Sequence, residues 1–151
     1  MVEPGATALS RTPEEGREVT DVLRREGIDR EHQVPLFLMV ELPSNVIEAR
    51  RFIDEMELDG GSIGSNDLVQ TVYAVSRDDL EGYRHPVDAR SPAVQTMIRD
   101  AISSFNAAGL EIGICGQAPS DFPLEIPKFL VEAGITSISV TPDTAVRVRV
   151  A

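Results

Sequence analysis

Cysteine, histidine and aromatic residues are scarce in this sequence, and tryptophan is absent. Of the 151 residues, one is cysteine, two are histidine and 5% are aromatic. Because one cysteine cannot form an internal disulfide, a secreted fold held by disulfide bridges is excluded and a reducing compartment is favoured. The histidines, His32 and His85, lie in polar stretches without a partner at metal-ligand spacing, so we interpret both as surface residues.

Positive charge is also scarce. The chain has 14 Lys and Arg against 25 Asp and Glu, a net charge of -11, which repels nucleic acid and anionic membranes, so we expect neither as a partner. No apolar run approaches the roughly 20 residues of a membrane span, and residues 1–10 lack the pattern of a signal peptide. These absences predict a cytoplasmic protein. With 42% apolar residues, we expect residues 1–151 to form a single domain.

Short apolar runs alternate with helical patterns along the chain. The predicted strands are 36–40, 62–64, 111–115 and 135–140, and the predicted helices are 12–27, 44–56, 68–74, 91–109 and 121–133. We expect residues 76–90 to form a surface loop. Alternating strands and helices predict an α/β fold with right-handed crossovers and a parallel sheet. About four βα units make half of a TIM-type (β/α)8 barrel, and a small open α/β sheet is the alternative.

Polar residues follow the predicted strands at their carboxyl ends. These residues are Glu41, Gly64 to Asp67, Cys115 to Gln117, and Thr141 to Asp143. The carboxyl ends of parallel strands share one rim, where α/β folds hold their reactive groups. Side-chain alternation also predicts an inner face that is mostly small or polar, formed by Phe37, Met39, Glu41, Gly113, Cys115, Ser137 and Ser139. Such a face makes a poor hydrophobic core and a plausible ligand site.

The residues at this rim allow two interpretations each. Glu41 and Asp67 are a candidate metal pair, because Mg²⁺ prefers carboxylate oxygens; from spacing alone, Asp67 is more simply a helix cap and Glu41 a strand end. Asn66 is a turn residue or a ligand donor, and Gly64 forms a turn or lets backbone N–H groups face an anion. Cys115 is a small core residue or a thiol that transfers a proton to a reacting carbon.

Several separated segments, in order, resemble the C-terminal phosphoenolpyruvate/pyruvate-binding barrel domain of phosphoenolpyruvate-utilising enzymes, and most closely its phosphoenolpyruvate synthase-type (pyruvate, water dikinase) members. The segments are 11–16, 38–45, 61–68, 113–121 and 137–143, and they include VELPSN at 40–45, GSND at 64–67 and GICGQ at 113–117. Because they cover nearly the whole chain, the resemblance outweighs the simpler interpretation of each residue. It implies the second half of a TIM-type barrel.

The resemblance also implies roles for the rim residues. Glu41 and Asp67 would ligate Mg²⁺, which in this family holds pyruvate or its enolate. The implied substrate-binding residues are Gly64, Ser65, Asn66 and Asp67. Cys115 would be the catalytic acid–base group that exchanges a proton with the methylene carbon of the enolate. In complete enzymes of this type, ATP phosphorylates a histidine, and the phosphohistidine then phosphorylates the enolate, yielding phosphoenolpyruvate, AMP and phosphate.

Other parts of the family's pattern have no counterpart in the 151 residues. The phosphate-clamping arginines of the first barrel half, the phosphohistidine domain and the nucleotide-binding domain are not matched. Val69, Ser76 and Thr141 stand where threonine, aspartate and asparagine are usual. We therefore expect this chain to supply enolate binding and proton transfer, without being active alone.

The predicted partners follow from this incomplete pattern. We expect pyruvate or phosphoenolpyruvate as ligand, and a homo-oligomer or a partner chain that supplies the missing half-barrel. Two other hypotheses stay open: a catalytically inactive half-barrel that acts as an interaction or regulatory module, and an unrelated open α/β domain.

Overall fold

A computed structural model describes residues 5–6, 10–28, 34–76 and 86–149. The strands in these ranges are β1 (Gly5–Ala6), β2 (Leu36–Val40), β3 (Gly60–Gly64), β4 (Glu111–Cys115) and β5 (Ser137–Ile138). The helices are α1 (Pro13–Arg25), α2 (Pro43–Ile47), α3 (Ala49–Met56), α4 (Ser65–Tyr73), α5 (Pro92–Ala107), α6 (Ala118–Asp121), α7 (Ile126–Ala133) and α8 (Ala145–Arg149). All strands are parallel and pair in chain order, β1-β2-β3-β4-β5.

The hydrophobic core lies between the sheet and the helices. Every second strand residue faces these helices and is buried: Leu38, Val40, Ile63, Ile112 and Ile114. Helix α5 contributes the buried stripe Val94, Ile98, Ala101, Ile102 and Phe105. The spacing of that stripe places it on one side of an α-helix, so burying it fixes α5 against the sheet. The core is therefore continuous across the three long strands.

The opposite face of the sheet carries small side chains, as the alternation predicts. A Cβ atom added at Gly60 would lie 2.5 Å from the Phe37 ring, and one added at Gly113 would lie 2.4 Å from the Ser137 hydroxyl. The glycines thus let side chains of neighbouring strands lie flat on this face, and a larger residue would displace them. We call this surface the inner face.

Several elements confirm the sequence prediction. Helix α1 begins after Thr12, whose hydroxyl accepts the Glu15 N–H at 3.2 Å, and strands β2 and β4 have the predicted bounds. Helix α5 starts after Ser91 and ends before Gly109, whose φ of 73° suits the residue that terminates a helix.

Other predicted elements were wrong in their bounds. The helix predicted at 44–56 is two helices, α2 and α3, and the first of them begins at Pro43. Gly60 and Gly61, which precede the strand predicted at 62–64, lie inside β3 and pair with both β2 and β4. Helix α4 begins three residues before the predicted start at Leu68. Strand β5 has 2 residues, and the helix predicted at 121–133 is divided between α6 and α7.

Two outcomes concern the ends of the described ranges. Strand β1, which the sequence pattern did not predict, pairs with β2 through Gly5 and Ala6. His32, His85 and most of the loop predicted at 76–90 lie outside the described residues. Within the described part of the chain, no helix has the length and apolar character that a bilayer crossing requires.

The turn after β2 is held by the buried amide of Asn45. Its Oδ1 accepts the N–H groups of Glu41 at 3.2 Å and Leu42 at 3.0 Å, and its Nδ2 donates to the Ser10 carbonyl at 2.8 Å. Asn45 stands at the third position of α2, where a side chain that reaches back to the helix start satisfies otherwise unbonded N–H groups. One side chain therefore joins the start of the described chain to the carboxyl end of β2.

We predict that Asn45→Ala lowers the free energy of unfolding by about 2–4 kcal/mol, because it removes three hydrogen bonds of a fully buried side chain. Urea denaturation followed by circular dichroism measures this loss. Asn106→Ala is the matched control: Asn106 is exposed and donates only to the Gly134 carbonyl, so its loss should cost about 1 kcal/mol or less. Equal losses for the two variants would contradict the role assigned to Asn45.

Candidate active site at the carboxyl rim

Three of the sequence-predicted site residues form a row across the middle of the sheet. Gly64 pairs with Cys115, and Val40, the residue before Glu41, pairs with Ile63, the residue before Gly64. Neighbouring strands lie about 4.8 Å apart, so the backbones of Glu41 and Cys115 are separated by about 10 Å. Gly64 lies between them without a side chain. The row therefore places a carboxylate and a thiol on the two strands beside a glycine.

The Glu41 side chain extends over Gly64 on the inner face. A Cβ atom at Gly64 would lie 3.0 Å from Glu41 Oε2 and 3.3 Å from the Met39 methyl group. Glu41 is half-buried, and removal of its carboxylate from water raises its pKa above the ordinary 4.5. The negative charge of Asp67 nearby raises the pKa further. The structure thus brings the two carboxylates together.

Asp67 lies in the first turn of α4, facing solvent. Helix α4 is preceded by Gly64 and has no side-chain cap, so the interpretation of Asp67 as a capping residue is wrong. Its Oδ1 instead accepts from the Gln70 side chain at 3.2 Å, one turn further along the helix. The other carboxylate oxygen, Oδ2, is the atom with which Asp67 can bind a further group.

The turn from β3 into α4 packs against the turn after β4. The buried Ser65 hydroxyl donates to the Cys115 carbonyl at 3.1 Å, and Asn66 Oδ1 accepts the Gln117 N–H at 3.5 Å. Gly116 has φ 101°, and a Cβ atom there would lie 2.5 Å from the Ser65 hydroxyl, so both the conformation and the close approach require glycine. Because the Asn66 oxygen is engaged, its amide nitrogen is the atom left to donate to a ligand.

Cys115 lies on the inner face, half-buried, at the end of β4. Its Sγ donates to the Ile63 carbonyl at 3.5 Å, across the strand pair that carries Gly64. Cys115 is not part of the hydrophobic core, which its neighbours Ile112 and Ile114 enter from the opposite face. The structure therefore places a thiol at the rim.

Strand β5 contributes hydroxyl groups to the same rim. Thr141 Oγ1 lies 2.9 Å from the hydroxyl of Thr144 and 3.3 Å from that of Ser120, and the Thr141 N–H donates to Ser120 at 2.9 Å. These contacts join the residues after β5 to helix α6. They engage Thr141 within the protein, and Asp143 beside it is exposed.

A cavity of about 210 Å³ adjoins the row on the side of α4 and α6. Its lining includes Ser65, Asn66, Gln70, Ala118, Asp121 and Phe122. The cavity shares Ser65 and Asn66 with the turn after β3, whereas Glu41, Asp67 and Cys115 do not line it.

The donor set at the rim fits a hard divalent cation. Glu41 and Asp67 supply carboxylate oxygens, and the Asp67 carboxylate is near enough to Glu41 to raise the pKa of Glu41. The Asp67 side chain is exposed to solvent. Mg²⁺ commonly takes one or two carboxylates and fills its other positions with water and substrate oxygens. Across the ranges that the structure describes, no group of three or more His, Cys, Asp and Glu residues could hold a metal by itself. A cation here would therefore need ligand or water oxygens as well.

Three residues near the carboxylates were missed by the sequence reasoning. Asn45 bonds the backbone of Glu41, Gln70 bonds the Asp67 carboxylate, and the Thr71 hydroxyl donates to the Glu41 carbonyl at 2.8 Å. Gln70 and Thr71 stand three and four residues after Asp67, a spacing that brings side chains of one helix together. A predicted helix that began at Ser65 would have identified both residues as neighbours of Asp67.

Comparison with known proteins shows which family this site resembles. Residues 6–151 match the family model described as PEP-utilising enzyme, PEP-binding domain. The chain is 44% identical over 142 residues to the phosphoenolpyruvate synthase of Aquifex aeolicus and 45% identical over 138 residues to that of Synechocystis. These alignments cover 93% and 91% of this chain but 16% of each relative, so the chain spans about a sixth of their length.

Solved structures with low sequence identity share the fold. An aldolase/citrate lyase family protein from Burkholderia cenocepacia matches 96% of this chain and 60% of its own, with a TM-score of 0.63 and 20% identity. A citrate lyase from Burkholderia xenovorans matches 95% of this chain and 46% of its own, with a TM-score of 0.67 and 18% identity. These neighbours are TIM-barrel-like, which confirms the predicted fold class of α/β with parallel strands from part of a (β/α)8 barrel.

We predict that Glu41→Gln stabilises the metal-free protein at pH 8 and leaves its stability nearly unchanged at pH 4. The folded state raises the pKa of Glu41 above 4.5, so it binds the proton more tightly than the unfolded chain, and the free energy of unfolding falls as pH rises through this range. The stabilisation should stay below about 1 kcal/mol, because the group remains partly in water. Urea denaturation at both pH values measures it.

Glu111→Gln is the control for this effect, since Glu111 is exposed at the opposite end of the sheet. A stability difference between Glu41→Gln and the unchanged protein that is the same at pH 4 and pH 8 would contradict the prediction.

Proposed function

This chain belongs to the family of PEP-utilising enzyme, PEP-binding domains, and on that premise we propose that its carboxyl rim binds pyruvate or phosphoenolpyruvate. The larger reaction would be that of a phosphoenolpyruvate synthase-like phosphotransferase, in which this chain is one part. The chain corresponds to 16% of the length of these relatives, which supports assigning the phosphate transfer to other parts of such an enzyme. Residues 1–151 would form a single domain that carries the enolate chemistry.

Glu41 and Asp67 would hold Mg²⁺ through their carboxylates. When bound, the ion would supply positive charge that stabilises the oxygen of an enolate. The ion would also reduce the repulsion between these two carboxylates. Without a cation, their negative charge disfavours binding of an anionic ligand at the rim. The environment of Glu41 supports this assignment, because burial chiefly, and the negative charge of Asp67 in addition, raise the pKa of its carboxyl group.

The beginning of α4 would orient the ligand's carboxylate. The first N–H groups of a helix lack partners within it and carry partial positive charge. Helix α4 begins at Ser65, so the backbone of Gly64, Ser65 and Asn66 would line the site, and the Asn66 amide nitrogen would donate to the ligand. The Ser65 hydroxyl donates to the Cys115 carbonyl and so would help keep this turn against β4.

Cys115 would transfer the proton at carbon. Its Sγ–H would be delivered to the methylene carbon of the enolate to form pyruvate, and the thiolate would take a methyl proton back in the opposite direction. The row of Glu41, Gly64 and Cys115 is the observation that carries the proposal. It places a carboxylate and a thiol on the two strands beside Gly64, on the face where the Glu41 carboxylate extends over that glycine.

We predict that oxalate, a planar mimic of the enolate, binds this chain only when Mg²⁺ is present, and that Asp67→Asn weakens the binding at least about 10-fold by removing a charged ligand. Isothermal titration calorimetry with and without Mg²⁺ measures both. Asp143→Asn is the matched control, since Asp143 is exposed at the same rim after β5. If a folded sample gives no magnesium-dependent heat, the site assignment is wrong.

We also predict that the chain exchanges the methyl protons of pyruvate with deuterated water when Mg²⁺ is present, and that Cys115→Ala slows this exchange at least about 100-fold, the usual contribution of a positioned acid–base group. Proton NMR of pyruvate follows the exchange. Calorimetry with oxalate is the control, because the variant should keep its affinity. An unchanged exchange rate in Cys115→Ala would exclude the thiol as the proton donor.

A second candidate function is an interaction module, and an apolar surface at the β5 edge favours it. Val131 is 67% exposed and Val146 is 74% exposed, and a groove of about 290 Å³ is lined by Pro127, Lys128, Val131, Glu132, Ile138 and Val148. In the described residues, β5 pairs with β4 only, which leaves a sheet edge open. A second copy or a partner chain would cover both surfaces.

We predict that the unchanged chain self-associates at micromolar concentration and that Val131→Asp returns it to the monomer, because a charge in the groove opposes burial. Light scattering after size-exclusion chromatography measures the mass. Val22→Asp, a change at an exposed valine on α1, is the control. A compact monomer at every concentration would remove the support for a homo-oligomer.

A further inference from the structure

We infer that Thr71 is a positioning residue that fixes the spacing of Glu41 and Asp67. This inference rests on the proposed function, since the spacing matters when both carboxylates hold one cation. Thr71 is an exposed residue of α4 whose hydroxyl contacts backbone carbonyls. Its effect would pass through the backbone of the residues that it bonds.

The Thr71 hydroxyl lies between the two elements that carry the carboxylates. Its Oγ1 is 2.8 Å from the carbonyl of Glu41 at the end of β2 and 3.0 Å from the carbonyl of Asp67 in α4. A third carbonyl, that of Leu68, lies at 3.2 Å. A threonine inside a helix ordinarily donates to the carbonyl one turn back. Here the shortest contact goes to another element, so one hydroxyl links the backbones of both carboxylate residues.

The backbone of Glu41 is held on its other side as well. Its N–H donates to Asn45 Oδ1 at 3.2 Å, while its carbonyl accepts from Thr71. The Asn45 amide is fully buried and joined to α2, whereas Thr71 belongs to α4. Of these two bonds, the Thr71 bond ties Glu41 directly to the helix that carries Asp67. Without it, α4 keeps its buried contacts and the Ser65 bond to β4 but loses this hydrogen bond to Glu41, so we expect a small shift of Asp67 relative to Glu41.

Such a shift matters for a small cation. Mg²⁺ requires near-octahedral geometry with oxygens at about 2.0–2.1 Å, so it tolerates little change in the separation of two carboxylates. Groups that orient metal ligands commonly contribute about 10–100-fold to metal affinity. Because Thr71 is exposed, its replacement leaves the hydrophobic core unchanged. The consequence should therefore appear in cation affinity rather than in stability.

The test compares three variants by their Mg²⁺-dependent binding of oxalate and by Mn²⁺ binding alone. Thr71→Val keeps the shape without the hydroxyl and should weaken both about 10-fold. Thr71→Ser restores the hydroxyl and should bind within about 2-fold of the unchanged chain. Thr96→Val is the matched control, because Thr96 is also exposed and donates to a carbonyl one turn back, that of Pro92, in α5. Its affinity should not change.

Calorimetry measures the oxalate binding, and the electron paramagnetic resonance signal of free Mn²⁺ measures the cation binding. If Thr71→Val destabilises the fold, Thr71→Ala serves as the second variant without the hydroxyl. Unchanged affinity in a folded variant without the hydroxyl, equal losses in Thr71→Val and Thr71→Ser, or an equal loss in Thr96→Val would each overturn the inference and leave the proposed function standing. Absence of magnesium-dependent binding by the unchanged chain would overturn both.

Discussion

The candidate site depends on the in-register parallel pairing of β2, β3 and β4. The pairing of Ile63 with Val40 and of Gly64 with Cys115 aligns the ends of three strands, so that a carboxylate, a glycine and a thiol lie side by side. A slip of one residue in either pair would turn the polar side chains toward the helices and bring isoleucine to the ligand side. The buried Ile63, Ile112 and Ile114 oppose that slip, because it would remove them from the core. The hydrophobic core thus sets the geometry of a site on the other face of the sheet.

Charge at the rim imposes the second condition. The chain has a net charge of -11, and Glu41 and Asp67 lie close enough for one to raise the pKa of the other. An anionic ligand approaches such a surface unfavourably unless a cation is present. The helix start at Ser65 supplies partial positive charge, but less than a full charge and close to a carboxylate in its own first turn. Magnesium and the anionic ligand would therefore be expected to bind together more tightly than either alone.

The sequence was sufficient to predict the fold class and to bring the site residues to one rim. The continuous apolar run of Leu36–Val40, the alternation in Glu111–Cys115 and the apolar stripe of α5 are strong local signals, and the structure has them as predicted. Shorter elements failed because their ends are set by contacts from distant residues. Gly60 and Gly61 pair with both β2 and β4, and a side chain at either position would meet the ring of Phe37 or Phe105. No local rule contains that information.

The same limit explains why the supporting residues were missed. Thr71 and Asn45 bond the backbone of Glu41 across 30 and 4 positions of the chain, and their importance depends on the relative placement of α2, α4 and β2. Asn45 lies inside the VELPSN motif, but a motif does not show which of its residues bonds the backbone, and Thr71 lies outside every segment that carries the resemblance. The two faces of the sheet also differ in how much they contribute to stability. Its glycines and serines contribute little to folding, so the stability of the sheet rests on the helix side, and the ligand side is free to be polar. A site of this kind can be altered through its supporting hydrogen bonds without removing the core beneath it.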